Sequence, residues 1–272
     1  MIWSYKKSSI FRSGAFIVTA LFFFLLYLSG KAFAGPRDEI TVSAAMSLKD
    51  VFEEIGEMFE LNRGVKVYLN FGGSGALKRQ IQGGAPVDVF ASASVWDMDE
   101  LSGKGLIVEE SRRNFAGNTI ALVVPADSKL SIGSFRDLLN GGVKRVAIGN
   151  PGTVPAGRYS REVLKHLRLW NMLKERIIFT ENVRQVLDYV ARGEVDAGIV
   201  YVTDVRIRPE AVKVIAEAPE GSCGPVVYPI AVVKGARDEK PAREFISLVR
   251  SVSGRNILLK YGFRPLSRGD KK

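Results

Sequence analysis

An α/β fold with two mixed, mainly parallel sheets is the architecture this sequence predicts. Short apolar runs that read as strands alternate with segments of helical apolar period almost throughout. The turns where strand gives way to helix are built from Gly, Ser, Ala and Asn. The chain has 272 residues, so two sheets are more natural than one, and no composition-shifted linker divides it. Lobes that exchange strands are therefore expected. The division expected is a signal peptide at 1–34, a first lobe of 38–117 plus 234–272, and a second lobe of 118–233, with the long strands at 119–125 and 226–233 as crossovers.

The first strand is 40–45. Ser47 then opens a helix with Leu48, Val51, Phe52, Ile55, Met58 and Phe59 on one face, and Ser47-x-x-Asp50 has the form of a capping box. Val67, Leu69 and Phe71 alternate as a strand. Gly72, Gly73 and Gly75 crowd around Ser74, and Leu77 and Ile81 follow at helical spacing. Residues 88–91 form a buried strand, 96–101 a short helix after Ser94, and 119–125 a longer strand. Ser134-x-x-Asp137 caps a short helix, and 146–148 is a strand leading into Asn150, Pro151 and Gly152. The next helix carries Tyr159, Val163, Leu164 and Leu167 inward. After a strand at 177–179, Glu181-Asn182 leads into a helix with Val183, Val186, Leu187 and Val190 on one face. Strands at 197–202, 212–215 and 226–233 follow. A helix from Pro241 buries Phe245, Ile246 and Val249, and a last one covers about 255–261.

Composition narrows the chemistry. Charged residues at 25% beside 46% hydrophobic ones describe a globular chain rather than a disordered one. The net charge is +10, and part of the excess sits in 1–34, which hold Lys6, Lys7, Arg12 and Lys31 and no acid. No Arg/Lys run is interleaved with aromatics, which argues against nucleic acid. Basic residues, an apolar run at 15–28 and the Ala32-Phe33-Ala34 tripeptide make a signal peptide cleaved after Ala34 the expectation, and with it an exported, periplasmic or extracytoplasmic protein. The run is short for a membrane span. No Cys follows it, so a lipid-anchored form is not expected. Cys223 and His166 are the only residues of their kinds, which leaves no internal disulfide and no Cys/His metal centre.

Four strand-to-helix junctions share one style. They are Ala44-Ala45-Met46-Ser47, Gly72-Gly73-Ser74-Gly75, Val154-Pro155-Ala156-Gly157 and Glu181-Asn182-Val183. The first N–H groups of a helix have no intrahelical partner, and the helix dipole adds partial positive charge there, so such starts suit an anion. Each is also an ordinary capped turn when taken alone. Arg158 and Arg184 follow two junctions and Lys78 and Arg79 a third; all four are expected to point to solvent. Asp97 and Asp99 read as solvated surface.

An enzyme reading competes. Gly72-Gly73-Ser74-Gly75-Ala76 approaches the G-x-S-x-G nucleophile elbow, which would make Ser74 the nucleophile of an exported serine hydrolase. His166 is then the sole candidate base. It lies off the inward face of Val163, Leu164 and Leu167, so no catalytic residue is assigned.

The junctions, in order, resemble the periplasmic molybdate-binding proteins, the capture subunits of molybdate ABC importers. The resemblance extends through Gly84-Ala85-Pro86-Val87-Asp88-Val89-Phe90-Ala91-Ser92-Ala93, Gly149-Asn150-Pro151, Gly198-Ile199-Val200-Tyr201, Tyr228-Pro229-Ile230-Ala231 and Tyr261-Gly262-Phe263. It covers essentially all of the chain after Ala34. It implies a bilobed periplasmic-binding-protein fold that closes on one tetrahedral oxyanion. Carried over by position, it implies hydroxyl donors at Ser47 and Ser74, backbone N–H donors at Ala156 and Val183, and a phenolic O–H at Tyr201. Molybdenum would be bound only as the oxyanion through these five residues. It further implies a monomer without cofactor that captures molybdate or tungstate and delivers it to the membrane permease of an ABC transporter. A cage of donors alone suits a full dianion, and protonated phosphate would bring an O–H with no acceptor. Sulfate has the right charge, so a sulfate-binding protein of the same fold is the alternative.

Overall fold

The computed structural model describes Met1 and residues 39–266. The expected signal peptide and its cleavage point therefore lie outside the described residues, Met1 apart. The strands are β1 (Glu39–Ala45), β2 (Lys66–Gly72), β3 (Val89–Ala91), β4 (Arg113–Asn118), β5 (Ile120–Pro125), β6 (Val146–Gly149), β7 (Ile177–Thr180), β8 (Ala197–Tyr201), β9 (Val212–Glu217) and β10 (Val226–Val232). The helices are α1 (Lys49–Arg63), α2 (Ser74–Gln82), α3 (Val95–Gly103), α4 (Pro155–His166), α5 (Trp170–Leu173), α6 (Val183–Ala191), α7 (Val202–Val205), α8 (Glu239–Arg250) and α9 (Val252–Lys260). None of the described helices is long and apolar enough to cross a membrane.

The strands form two five-stranded sheets, β2-β1-β3-β10-β4 and β7-β6-β8-β5-β9. In the first, β2, β1 and β3 are parallel, and β10 runs antiparallel between β3 and β4. In the second, β7, β6 and β8 are parallel and β5 is antiparallel to both β8 and β9. The two orders match strand for strand. Both sheets are mixed, with two parallel and two antiparallel ladders in each.

Two details differ from the sequence expectation. β4 went unread, because R-N-F-A-G-N carries little apolar pattern; it is an edge strand held by its ladder to β10. β10 belongs to the first sheet, although 118–233 reads as the second lobe. The chain crosses once at Thr119, between β4 and β5, and returns between β9 and β10. Apolar pattern marks β10 as buried, but the sheet that buries it is decided by distant strands.

Helices cover the sheets by the faces their periodicity marks. Val51, Phe52, Ile55 and Phe59 of α1 are buried, as are Val183, Val186, Leu187 and Val190 of α6. Phe245 of α8 packs edge-on against Phe52 and Phe59, with ring centroids 5.8 and 5.5 Å apart. Edge-to-face pairs of this kind add about 0.5–1.5 kcal/mol to the area they bury. This packing fixes α1, and with it the turn at Ser47, on the first sheet.

Candidate functional site

The site sits where the carboxyl ends of β1, β2, β6, β7 and β8 face one another across the cleft. In open α/β sheets this is where ligands bind. At the first junction β1 runs into a 3-10 turn, Met46–Leu48, before α1 begins. The capping box read at Ser47 and Asp50 does not form: the N-cap of α1 is Leu48, and no side chain caps it. Ser47 is buried instead, and its Oγ lies 3.1 Å from the Tyr228 hydroxyl. Asn118 Nδ2 donates to that phenolic oxygen at 3.2 Å and to Thr203 Oγ1 at 2.8 Å. Asn118 Oδ1 accepts from the Thr119 N–H at 2.8 Å, which fixes the amide orientation. A phenol that accepts from Asn118 still has its one proton to give, and Ser47 is a partner that can take it. Ser47 then has its own proton left for the cavity it lines.

Ser74 is the first residue of α2 and is fully buried. Its Oγ accepts the Ala93 N–H at 3.0 Å, so its proton also remains to be donated. Ala156 follows Pro155 at the start of α4, and Val183 is the first residue of α6. Their N–H groups are among those a helix start leaves without an intrahelical partner. The N-cap Asn182 side chain accepts from Gln185 N at 3.0 Å, so it does not take up the Val183 N–H. The Tyr201 hydroxyl donates to the Ala93 carbonyl over a long 3.5 Å. Burial pushes the Tyr201 and Tyr228 phenols up, so both are neutral O–H donors at neutral pH.

All five residues expected at the site line one cavity, together with Ala45, Met46, Gly72, Gly73, Ala93, Val154 and Pro155. No charged side chain is among them. The cavity volume is about 10 Å3, room for one water-sized centre. Three contributors were missed in the sequence. Ala93 follows β3 in Ser92-Ala93-Ser94, a fifth junction of small residues that was legible in the same terms as the other four. Tyr228 and Asn118 act from behind Ser47, and nothing local marks them.

The glycines serve closure more than ligand approach. Gly75 N–H donates to the Thr153 carbonyl of the opposite lobe at 2.9 Å. A Cβ at Gly73 or Gly75 would lie 2.7 or 2.9 Å from that carbonyl oxygen, so only glycine lets the backbones meet there.

The charges around the cleft are not solvated as expected, Arg79 and Asp99 excepted. Arg184 of α6 pairs with Asp50 of α1, and Arg158 Nη1 of α4 lies 3.4 Å from Asp97 Oδ2 of α3. Both pairs bridge the lobes. Asp97 is fully buried, and Lys78 Nζ holds its Oδ1 at 3.0 Å. Lys78 and Arg158 both lie over the Trp96 ring, each cation 4.2 Å from the ring centroid. None of these cations lines the cavity. The pairing partners come from distant elements, which is why polarity alone misplaced them.

The hydrolase geometry is absent among the described residues. His166 is exposed on α4 and does not line the cavity, and Ser74 Oγ faces a backbone donor rather than a base.

Comparison with known proteins agrees in fold and sequence. The family described as bacterial extracellular solute-binding protein matches residues 40–264. The molybdate-binding protein ModA of Haemophilus influenzae is 36% identical over 249 residues, covering 88% of this chain and 95% of that one. The periplasmic molybdate-binding protein of Azotobacter vinelandii superposes with a TM-score of 0.76 at 26% identity, over 84% of this chain and 100% of the other. The sulfate-binding protein SubI of Mycobacterium tuberculosis shares the fold, with a TM-score of 0.73 at 18% identity over 85% of this chain and 88% of the other.

Proposed function

This chain belongs to the bacterial extracellular solute-binding proteins, and from that premise we propose that it captures molybdate or tungstate as a dianion for an ABC importer. The observation that carries the proposal is a cavity lined by Ser47, Ser74, Ala156, Val183 and Tyr201 and by no charged side chain. The donors in this reading are the Ser47 and Ser74 hydroxyls, the Ala156 and Val183 N–H groups, and the Tyr201 hydroxyl, whose one proton exchanges its long contact with the Ala93 carbonyl for the anion. A hydrogen bond to a charged group contributes about 1.5–3 kcal/mol, and each helix start adds about 0.3–1 kcal/mol, up to about 2 when partly buried. Near the favourable ends of these ranges, five such bonds reach the roughly −8 kcal/mol of micromolar binding after an association cost of about 4–15 kcal/mol. Dipoles suffice, and no catalytic step is required.

Charge selects dianions; cage size separates molybdate and tungstate from sulfate. The fold is shared with a sulfate-binding protein and does not decide the ligand. The sequence similarity to molybdate-binding proteins supports molybdate. Calorimetric titration against molybdate, tungstate, sulfate and phosphate tests the reading, and tighter binding of sulfate than of molybdate overturns it.

Working as a monomer without cofactor, the protein acts outside the cytoplasm after cleavage behind Ala34 and passes its anion to a membrane permease. N-terminal sequencing of the exported protein should begin at Gly35.

A further inference from the structure

We propose that Arg184 is a shared clasp: it holds Asp50 of the opposite lobe while the lobes are closed and is taken over by Asp204 of its own lobe when they part, so that it sets how long the oxyanion is retained. The inference rests on the oxyanion reading of the cavity.

Arg184 directly follows Val183 at the start of α6, and Asp50 lies three residues beyond Ser47 in the first turn of α1. Their ion pair therefore ties together the two helix starts that present the Ser47 and Val183 donors. Both side chains are largely covered, at 17% and 29% exposure. Such a pair is screened less than a surface one.

Two atoms on the Arg184 side of the cleft are left without partners. Arg184 Nε is buried and makes no hydrogen bond, and the same is true of Asp204 Oδ1. The other oxygen, Asp204 Oδ2, accepts the Tyr201 N–H at 3.0 Å. Helices α6 and α7 pack against one another, and the Arg184 guanidinium acts electrostatically on the Asp204 carboxyl. One buried atom of a cationic donor and one of an acidic acceptor, each without a hydrogen bond, thus stand in neighbouring helices of one lobe. Buried polar atoms without partners are uncommon and costly. Here they persist because the guanidinium is drawn to Asp50. When the lobes part and Asp50 withdraws, Asp204 is the carboxylate that remains, and pairing with it satisfies both atoms. Closure and opening are then two states of one guanidinium with two competing acceptors. Arg184 does not reach the cavity; it acts by positioning the Val183 start against the Ser47 start.

The two carboxylates must therefore have opposite effects. In calorimetric titration and stopped-flow release of molybdate from the full chain, Asp50→Asn and Arg184→Gln should each raise Kd about three- to tenfold. The change should lie in the release rate, with the association rate within about twofold of the parent protein. Asp204→Asn removes the competitor and should slow release, and unchanged release would overturn the competition. Release accelerated by Asp204→Asn as much as by Asp50→Asn would show a merely structural carboxylate and overturn the clasp. So would parent-like release in both Asp50→Asn and Arg184→Gln. The double variant Asp50→Asn with Arg184→Gln provides a check independent of Asp204: its loss should equal that of one single variant, and additive losses overturn the pairing. If the parent protein binds none of molybdate, tungstate, sulfate or phosphate, the oxyanion reading fails by itself. Small-angle scattering of the unliganded chain then judges the clasp. Asp50→Asn should enlarge the radius of gyration, and an unchanged radius overturns it.

Discussion

The Tyr228 hydroxyl lies 3.1 Å from Ser47 Oγ, joining a strand of the first sheet to the turn that opens the first helix. Asn118 donates to the same phenolic oxygen, and the Tyr228 proton, when given to Ser47, leaves the Ser47 proton for the cavity. Tyr228→Phe should therefore weaken molybdate binding about tenfold although Tyr228 does not line the cavity, since Ser47 becomes free to turn its proton away. Titration of the variant against molybdate checks this, and parent-like affinity would remove Tyr228 from the binding apparatus.

Ser47→Ala and Ser74→Ala should each weaken binding by about 1.5–3 kcal/mol, roughly ten- to a hundredfold, with little change in the melting temperature. Tyr201→Phe should cost less, since one donor over a long contact is lost. Unchanged affinity in both serine variants would mean that the cavity is not the site.

Gly75→Ala places a Cβ 2.9 Å from the Thr153 carbonyl oxygen and 3.0 Å from the Thr153 Cα. Within α2 alone the change favours helix by about 1 kcal/mol. The variant should therefore fold as well as the parent and bind molybdate more weakly, because the clash arises only on closure. A variant with equal affinity would show that the lobes need not approach this closely.

Asp204 gives folding stability a pH dependence of definite sign. Burial pushes its carboxyl up to about 7 from an ordinary 3.8, against the opposing pull of Arg184 and the Tyr201 N–H. Between those values the folded chain holds a proton that the unfolded chain has lost, so this group's contribution falls as pH rises from about 4 to about 7 and then levels. Thermal melts of Asp204→Asn across that range should rise relative to the parent as pH increases. A constant difference between the two would show that Asp204 ionises normally.

Alternation of apolar strands and amphipathic helices gave the architecture, and the small-residue junctions marked the turns that hold Ser47, Ser74, Ala156 and Val183, because both are local patterns; Tyr201 came from the family resemblance alone. Strand period, helix period and the unpaired N–H groups of a helix start are properties of a few adjacent residues. Ser47, Ser74, Ala156 and Val183 are thus legible as positions, and the resemblance ordered them. The structure brings all five to one cavity.

What the sequence could not determine depends on the opposite lobe or on distant strands. β4 has no pattern of its own and exists because β10 offers a ladder. Lys78 and Asp97 read as solvated charges, yet both are buried, because each is paired within the cleft wall. Ser47 has the form of a cap but bonds to Tyr228, 181 residues away. Arg184 looks free until α1 brings Asp50 to it. A carboxylate, a guanidinium or a hydroxyl takes its role from whichever partner compensates its desolvation, and only the folded, closed chain supplies that partner.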